Sequence, residues 1–234
     1  SMLAIGLVVL LIARQPDLGT SLLIGASGVY VLFFSGVRVM LLKNKWLNLL
    51  LLSSLLGGSL FLAWNYFLIA YQKRRILTLF NPESDPLGSG YHIIQSKIAI
   101  GSGGFTGKGL TKGSQSQLDF VPEQSTDFIF SVLAEELGFL GVLLLIIIYS
   151  LIIYRCLILS LRCEDNFSRL LGASLTFVFF TYIFVNIGMV SGLLPVVGVP
   201  LPLISYGGSS LITLMASFGI IMSIHKHKGP RYLQ

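Results

Sequence analysis

An all-α polytopic membrane bundle is the fold class this sequence predicts, and three observations carry the prediction. Of its 234 residues, 54% are hydrophobic and only 11% charged, with a mean hydropathy of +0.83. Soluble domains carry roughly 25% charged residues, so too little charge is present to cover a water-facing surface. Apolar runs long enough to cross a bilayer recur along the chain, and the basic residues gather in alternate connections between them. An ordinary soluble globule is thereby excluded, as is a disordered chain, which needs low hydrophobicity and high charge.

A helix needs about 20 residues to cross the hydrocarbon core. Five runs meet that length: Leu18–Val37, Trp46–Tyr71, Phe128–Tyr154, Leu170–Val190 and Ser205–Ser223. A sixth, Met2–Ala13, has the composition but not the length, and reads as the end of a helix that begins upstream. A cleaved signal peptide fits less well there, because no basic region precedes the run and Arg14-Gln15-Pro16-Asp17 is a poor cleavage site. About six transmembrane helices, the first incomplete, form a single membrane domain over residues 1–234.

Charge orients the spans. Arg38, Lys43 and Lys45 lie in one connection, Arg155, Arg162 and Arg169 in another, and Lys226, Lys228 and Arg231 close the chain. If each run crosses once, all three segments share a side, which the positive-inside rule makes cytoplasmic. The net charge of +6 therefore reads as a topology signal and a contact for anionic lipids, with no nucleic acid implied. Cys156 and Cys163 are the only cysteines, and neither a disulfide framework nor a zinc site is signalled.

The segment 72–126 is left as one long extracytoplasmic loop. It holds Lys73, Arg74, Arg75, Lys97, Lys108 and Lys112 with Glu83, Asp85, Asp119 and Glu123, plus many glycines, and unstructured loops rarely exceed about 15 residues unless they are functional or disordered. Within it His92–Ile100 (HIIQSKIAI) places apolar side chains on one face, predicting a short interfacial helix. Asn81–Pro86 (NPESDP) is turn chemistry. Gly101–Gly109 (GSGGFTGKG) is not a nucleotide-binding loop: Ser102 stands where the first glycine belongs, and Gly109 where Ser or Thr would bind magnesium. Its glycines instead allow backbone to approach a phosphate or a neighbouring helix closely.

Ionisable residues at or inside spans are the strongest functional candidates, since they usually face a cavity or a partner. Asp127 opens the fourth span just after Glu123, and Glu135 and Glu136 lie within it. Helical geometry puts Ser131 about 40° and Glu135 about 80° from Asp127, with Glu136 roughly opposite. Sequence physics alone favours a helix N-cap role for Asp127 over catalysis. Pro195, Pro200 and Pro202 interrupt an apolar context before Ser205–Ser209 (SYGGS). Irregular backbone at membrane depth survives only where protein or a watery cavity satisfies it, so a re-entrant or broken segment is expected here. His92, His225 and His227 are weak ligand candidates.

Four segments carry a resemblance. They are Gln15–Thr20 (QPDLGT), Asn81–Gly104 (NPESDPLGSGYHIIQSKIAIGSGG), Gln115–Gly138 (QSQLDFVPEQSTDFIFSVLAEELG) and Asn186–Ser209 (NIGMVSGLLPVVGVPLPLISYGGS). In order and content these resemble the bacterial shape, elongation, division and sporulation (SEDS) family. The resemblance implies a ten-span inner-membrane peptidoglycan glycosyltransferase, of which this chain supplies the last six spans. Such an enzyme polymerises lipid II beside a class B penicillin-binding protein transpeptidase and other membrane proteins of the elongation machinery. It implies Asp127 as the catalytic carboxylate, acting as general base on the acceptor hydroxyl. Arg75 and Lys97 would counter the pyrophosphate, and Glu123 would orient Asp127 or ligate a divalent cation, the one cofactor left open. Ser205 joins the substrate-binding set, while Lys73 and Arg74 are assigned to membrane-surface contact. The rival readings are a flippase for the lipid-linked precursor, which would need cations through the membrane depth, and a non-catalytic scaffold for a transpeptidase.

Overall fold

In a computed structural model the described residues are 18–36, 61–86, 88–114 and 125–226, with short helical pieces between 6 and 12 and between 47 and 58. Six principal helices run through them: α1 (Leu18–Phe34), α2 (Ala70–Phe80), α3 (Ser89–Ser102), α4 (Ile129–Leu161), α5 (Asn166–Val190) and α6 (Gly208–Lys226). No strand occurs among the described residues. The predicted runs Met2–Ala13 and Trp46–Tyr71 are described only in part, and Glu123 lies outside the described residues. Helices α4, α5 and α6 are each long and apolar enough to cross a membrane.

Their boundaries differ from the hydropathy reading for local reasons. Helix α4 continues to Leu161, past the expected end at Tyr154, because apolar residues persist and nothing breaks the helix before the Arg162 cap. Helix α5 begins at Asn166 instead of Leu170, since Asp165 caps it by accepting from the Ser168 N–H at 2.9 Å. Helix α6 starts only at Gly208 because the Ser205 hydroxyl accepts from Leu201 N–H at 2.7 Å, holding that stretch in a turn.

Helix α5 is central. It packs on α1, α3, α4 and α6 and buries small and polar residues together with Phe179, Ile183 and Met189. Its small residues bring neighbouring backbones close, as at Gly172 against Ser160 of α4. Tyr30 of α1 shares a 2.6 Å hydrogen bond with Thr181. By contrast the second half of α4 leaves Leu144, Ile147, Leu151 and Tyr154 exposed, the surface expected to face lipid.

The segment 191–207 is irregular and buried, with Val196, Val197, Val199 and Leu201 in the core. Protein groups satisfy it as anticipated: Tyr149 O–H donates to Pro202 O at 2.6 Å and Asn186 Nδ2–H to Val199 O at 2.6 Å. Helix α3 is longer than predicted and buries Gly90, Ile93, Ser96 and Ala99 on one face. That face meets protein: α3 packs on α4 and α5, and Ser96 O–H donates to Val190 O at 2.9 Å.

The glycine loop approaches a helix. Helix α4 breaks at Gly138 (φ 65°, ψ −164°), a conformation essentially reserved for glycine. Loop backbone fits into the break: Lys108 and Gly109 N–H donate to Glu135 O and Glu136 O, and Phe139 and Leu140 N–H donate to Gly104 O and Phe105 O. Beside this junction the wholly buried Glu135 pairs with Lys108 at 2.7 Å, and Ser114 O–H donates to the same carboxylate oxygen at 3.2 Å. Glu136 takes a separate partner, the Thr111 N–H at 3.0 Å.

Candidate active site

The turn 125–128, immediately before α4, is held by four consecutive carbonyls. Tyr206 N–H donates to Ser125 O at 2.9 Å, and Ser205 O–H to Thr126 O at 2.5 Å. Asn186 Nδ2–H donates to Asp127 O at 2.8 Å, and Ser131 O–H to Phe128 O at 2.7 Å. The donors come from α4, α5 and the proline-rich segment, so this turn is where the three meet. Each buried hydrogen bond contributes perhaps 0.5–1.5 kcal/mol, but leaving such a carbonyl unmet costs more. The chain is thus fixed on both sides of the Asp127 side chain.

Asp127 is not the helix cap. That position belongs to Phe128, which makes no side-chain cap bond. The clamping of Thr126 O and Asp127 O by groups outside α4 holds Asp127 in the turn, one residue short of the cap. Its half-buried carboxylate lies beside Gly198 (φ 72°), where a Cβ would come within 3.3 Å of Oδ2. Any larger residue there would be strained and would press on the carboxylate.

Asp127 opens onto a cleft of about 560 Å³. One wall is α2, with Tyr71, Arg74 and Arg75; another comprises Asp85 and the start of α3 to His92; Phe128, Val196 and Gly198 complete it. Arg75 lies 4.5 Å over the Tyr71 ring and donates to its hydroxyl, an i to i+4 contact that fixes the guanidinium. Arg74 pairs with Asp85 at 2.8 Å. The other oxygen of Asp85 accepts from Ser89 N–H at 3.1 Å, tying α2 to the first turn of α3. His92 stacks on Phe128 with centroids 5.5 Å apart.

The structure therefore brings Asp127 and Arg75 to one cleft. Ser205 does not line it, and instead spends its hydroxyl on Thr126 and Leu201. Lys97 is exposed on another side of α3, against the backbone of Gly192. Ser131 and Glu135 follow Asp127 along α4 but bond elsewhere. Sequence reasoning missed Tyr71, Arg74, Asp85 and His92 as cleft residues. The signal for Arg74 and Asp85 was their opposite charge on either side of a proline turn, which lets the ends of α2 and α3 be bridged. Among the described residues no three His, Cys, Asp or Glu side chains come together. A carboxylate fixed by its main chain in the same cleft as a guanidinium provides a proton acceptor and a site for negative charge within one cavity.

Comparison with known proteins agrees with the motifs. The model of the cell cycle protein family FtsW/RodA/SpoVE matches residues 1–229. Peptidoglycan glycosyltransferase MrdB of Escherichia coli K12 is 55% identical over 219 residues, covering 94% of this chain and 57% of MrdB. A solved peptidoglycan synthase complex, described as coordinating polymerization and crosslinking, superposes with TM-score 0.73 at 33% identity over 94% of this chain and 58% of its own. A mutant of the rod shape determining protein RodA from Thermus thermophilus matches with TM-score 0.59 at 29% identity, over 97% of this chain and 55% of its own. The chain thus spans a little over half the length of these relatives. With motifs, helices and relatives in agreement, the chain belongs to the FtsW/RodA/SpoVE (SEDS) family and is a RodA-like, polytopic membrane protein.

Proposed function

We propose that this chain is the catalytic half of a peptidoglycan glycosyltransferase that polymerises lipid II for cell elongation, working in the bacterial inner membrane. The observation that carries the reading is Asp127, held by its flanking carbonyls at the mouth of a cleft that also holds Arg75. Asp127 takes the proton from an acceptor sugar hydroxyl, and that oxygen attacks the donor's anomeric carbon. The bond from that carbon to the pyrophosphate oxygen breaks, with inversion, and undecaprenyl pyrophosphate leaves. No acid is needed for such a leaving group. Arg75, with Arg74 behind it, receives the developing phosphate charge by charge-assisted hydrogen bonds. The basic connections face the cytoplasm and the cleft faces outward, where a class B penicillin-binding protein cross-links the product. Its curated relative MrdB is named a peptidoglycan glycosyltransferase, which supports the same reading.

The test is incubation of labelled lipid II with purified protein, its upstream spans restored, and a class B partner. The reading predicts glycan ladders. Lipid II translocated across proteoliposomes without ladders would replace polymerisation by transport, and neither activity from folded protein would leave a scaffold.

A further inference from the structure

At the end of the bundle away from Asp127, α4 and α6 flank an open apolar cavity of about 830 Å³, within the ~300–1,000 Å³ range of ligand pockets. Phe218 and Met222 are among its apolar walls, the buried Cys156 forms part of its floor, and Arg155, His225 and Lys226 stand at its edge. Among the described residues no acidic side chain lines it. Among the described residues, neither Arg155 nor Lys226 belongs to an ion pair. His225 Nδ1 is buried and has no hydrogen-bond partner.

These groups ask for a particular ligand. Arg155 lies six residues before the end of α4, or about 9 Å along the helix axis, at the depth where a long basic side chain reaches a headgroup with its stem in the hydrocarbon. Lys226 is partly matched by the negative end of α6, whereas Arg155 sits inside its helix and has no such compensation. A buried nitrogen without a partner adds a group that a phosphate oxygen would satisfy. An apolar partner helix would fill the walls but leave the three basic groups unanswered.

We propose that this cavity is a binding site for an anionic membrane phospholipid. One acyl chain lies between α4 and α6, and the phosphate takes hydrogen bonds from Arg155, Lys226 and the Nδ1–H tautomer of His225. The site is independent of the Asp127 cleft, at the opposite end of α4, and does not depend on the polymerase reading. A zwitterionic lipid offers the same phosphate with no net charge, so two basic side chains favour an anionic headgroup by roughly tenfold.

Native mass spectrometry of the protein titrated with phosphatidylglycerol or phosphatidylcholine tests this. The parent should retain the anionic lipid with roughly tenfold preference, and Arg155→Gln with Lys226→Gln should abolish the preference. Both substituted side chains are exposed, so the fold should survive. A second pair, Arg162→Gln with Arg169→Gln, removes the same charge outside the cavity and should leave the preference intact. Equal retention of the two lipids by the parent, or equal loss of preference in both variant pairs, would overturn the site. So would a cavity that takes up neither lipid because protein fills it.

Discussion

Helix α4 is two different helices joined at Gly138. The first part, Ile129 to Gly138, is mostly buried and enmeshed in polar bonds: Ser131 to Phe128, Glu135 to Lys108, and the helix carbonyls to the glycine loop. The second part, to Leu161, carries exposed leucines and isoleucines, and its one long-range side-chain hydrogen bond among the described residues is from Tyr149. The contrast teaches where precision is placed. The lipid-facing half needs only apolar side chains of sufficient length, because lipid solvates it without specific partners. The half that carries Asp127 into place is cross-braced from three directions, as a site that must hold its geometry requires.

Substitutions in the braced half should therefore cost far more than apolar swaps in the other. The largest expected stability effect is Lys108→Met, which takes the paired cation away from the buried Glu135 carboxylate. Removing one partner of a buried pair typically costs about 3–5 kcal/mol, and the Ser102 and Ser114 hydroxyls bonded to the same carboxylate favour the lower end. Thermal unfolding in detergent checks it, and adding Glu135→Gln should restore most of the loss. Next comes Asn186→Leu, which leaves Asp127 O and Val199 O without that donor while relieving the amide's own unpartnered Oδ1. The net loss should be about 1–3 kcal/mol, with polymerisation falling in parallel because the Asp127 backbone is released. Ser205→Ala removes one donor and one acceptor in a half-buried place and should cost about 1 kcal/mol. An equal cost for Leu144→Ala, on the exposed part of α4, would break the comparison.

The smallest effect lies in the connection between α4 and α5. Ser168 N–H and O–H hold the exposed Asp165 carboxyl below its ordinary range. A lowered folded-state value stabilises the fold above the unfolded aspartate value, and that contribution disappears as pH falls through the lowered one. Asp165→Ala should fray the first turn of α5 at neutral pH and remove this acid dependence, read by amide hydrogen exchange at Ser168 and Arg169.

Much of this was legible in the sequence because it rests on local or compositional signals. Helices α4, α5 and α6 followed from run length, and the broken segment from Pro195, Pro200 and Pro202. Asp127 came from its place at a span's entrance together with the family motif. What was hidden depends on contacts between distant segments. Nothing local in His92–Ile100 says that α3 will dock on α5 through Ser96, or that Gly138 will open α4 to the loop at Gly104. The cleft role of Arg74 was concealed because charge beside a span usually signals lipid contact, and only its closure onto Asp85 distinguishes the two.

The central claim is that Asp127 acts as a base whose position the surrounding bonds fix. The most direct measurement is the single-turnover rate of lipid II transfer by the spans-restored protein carrying Asp127→Asn. That change keeps size and polarity, and the backbone bond from Asn186 to residue 127 does not involve the side chain. The account predicts unchanged thermal stability and a rate reduced by ~10²–10⁴-fold. A folded Asp127→Asn protein that transfers within about threefold of the parent rate would contradict it, because so small a change is below what loss of a general base causes.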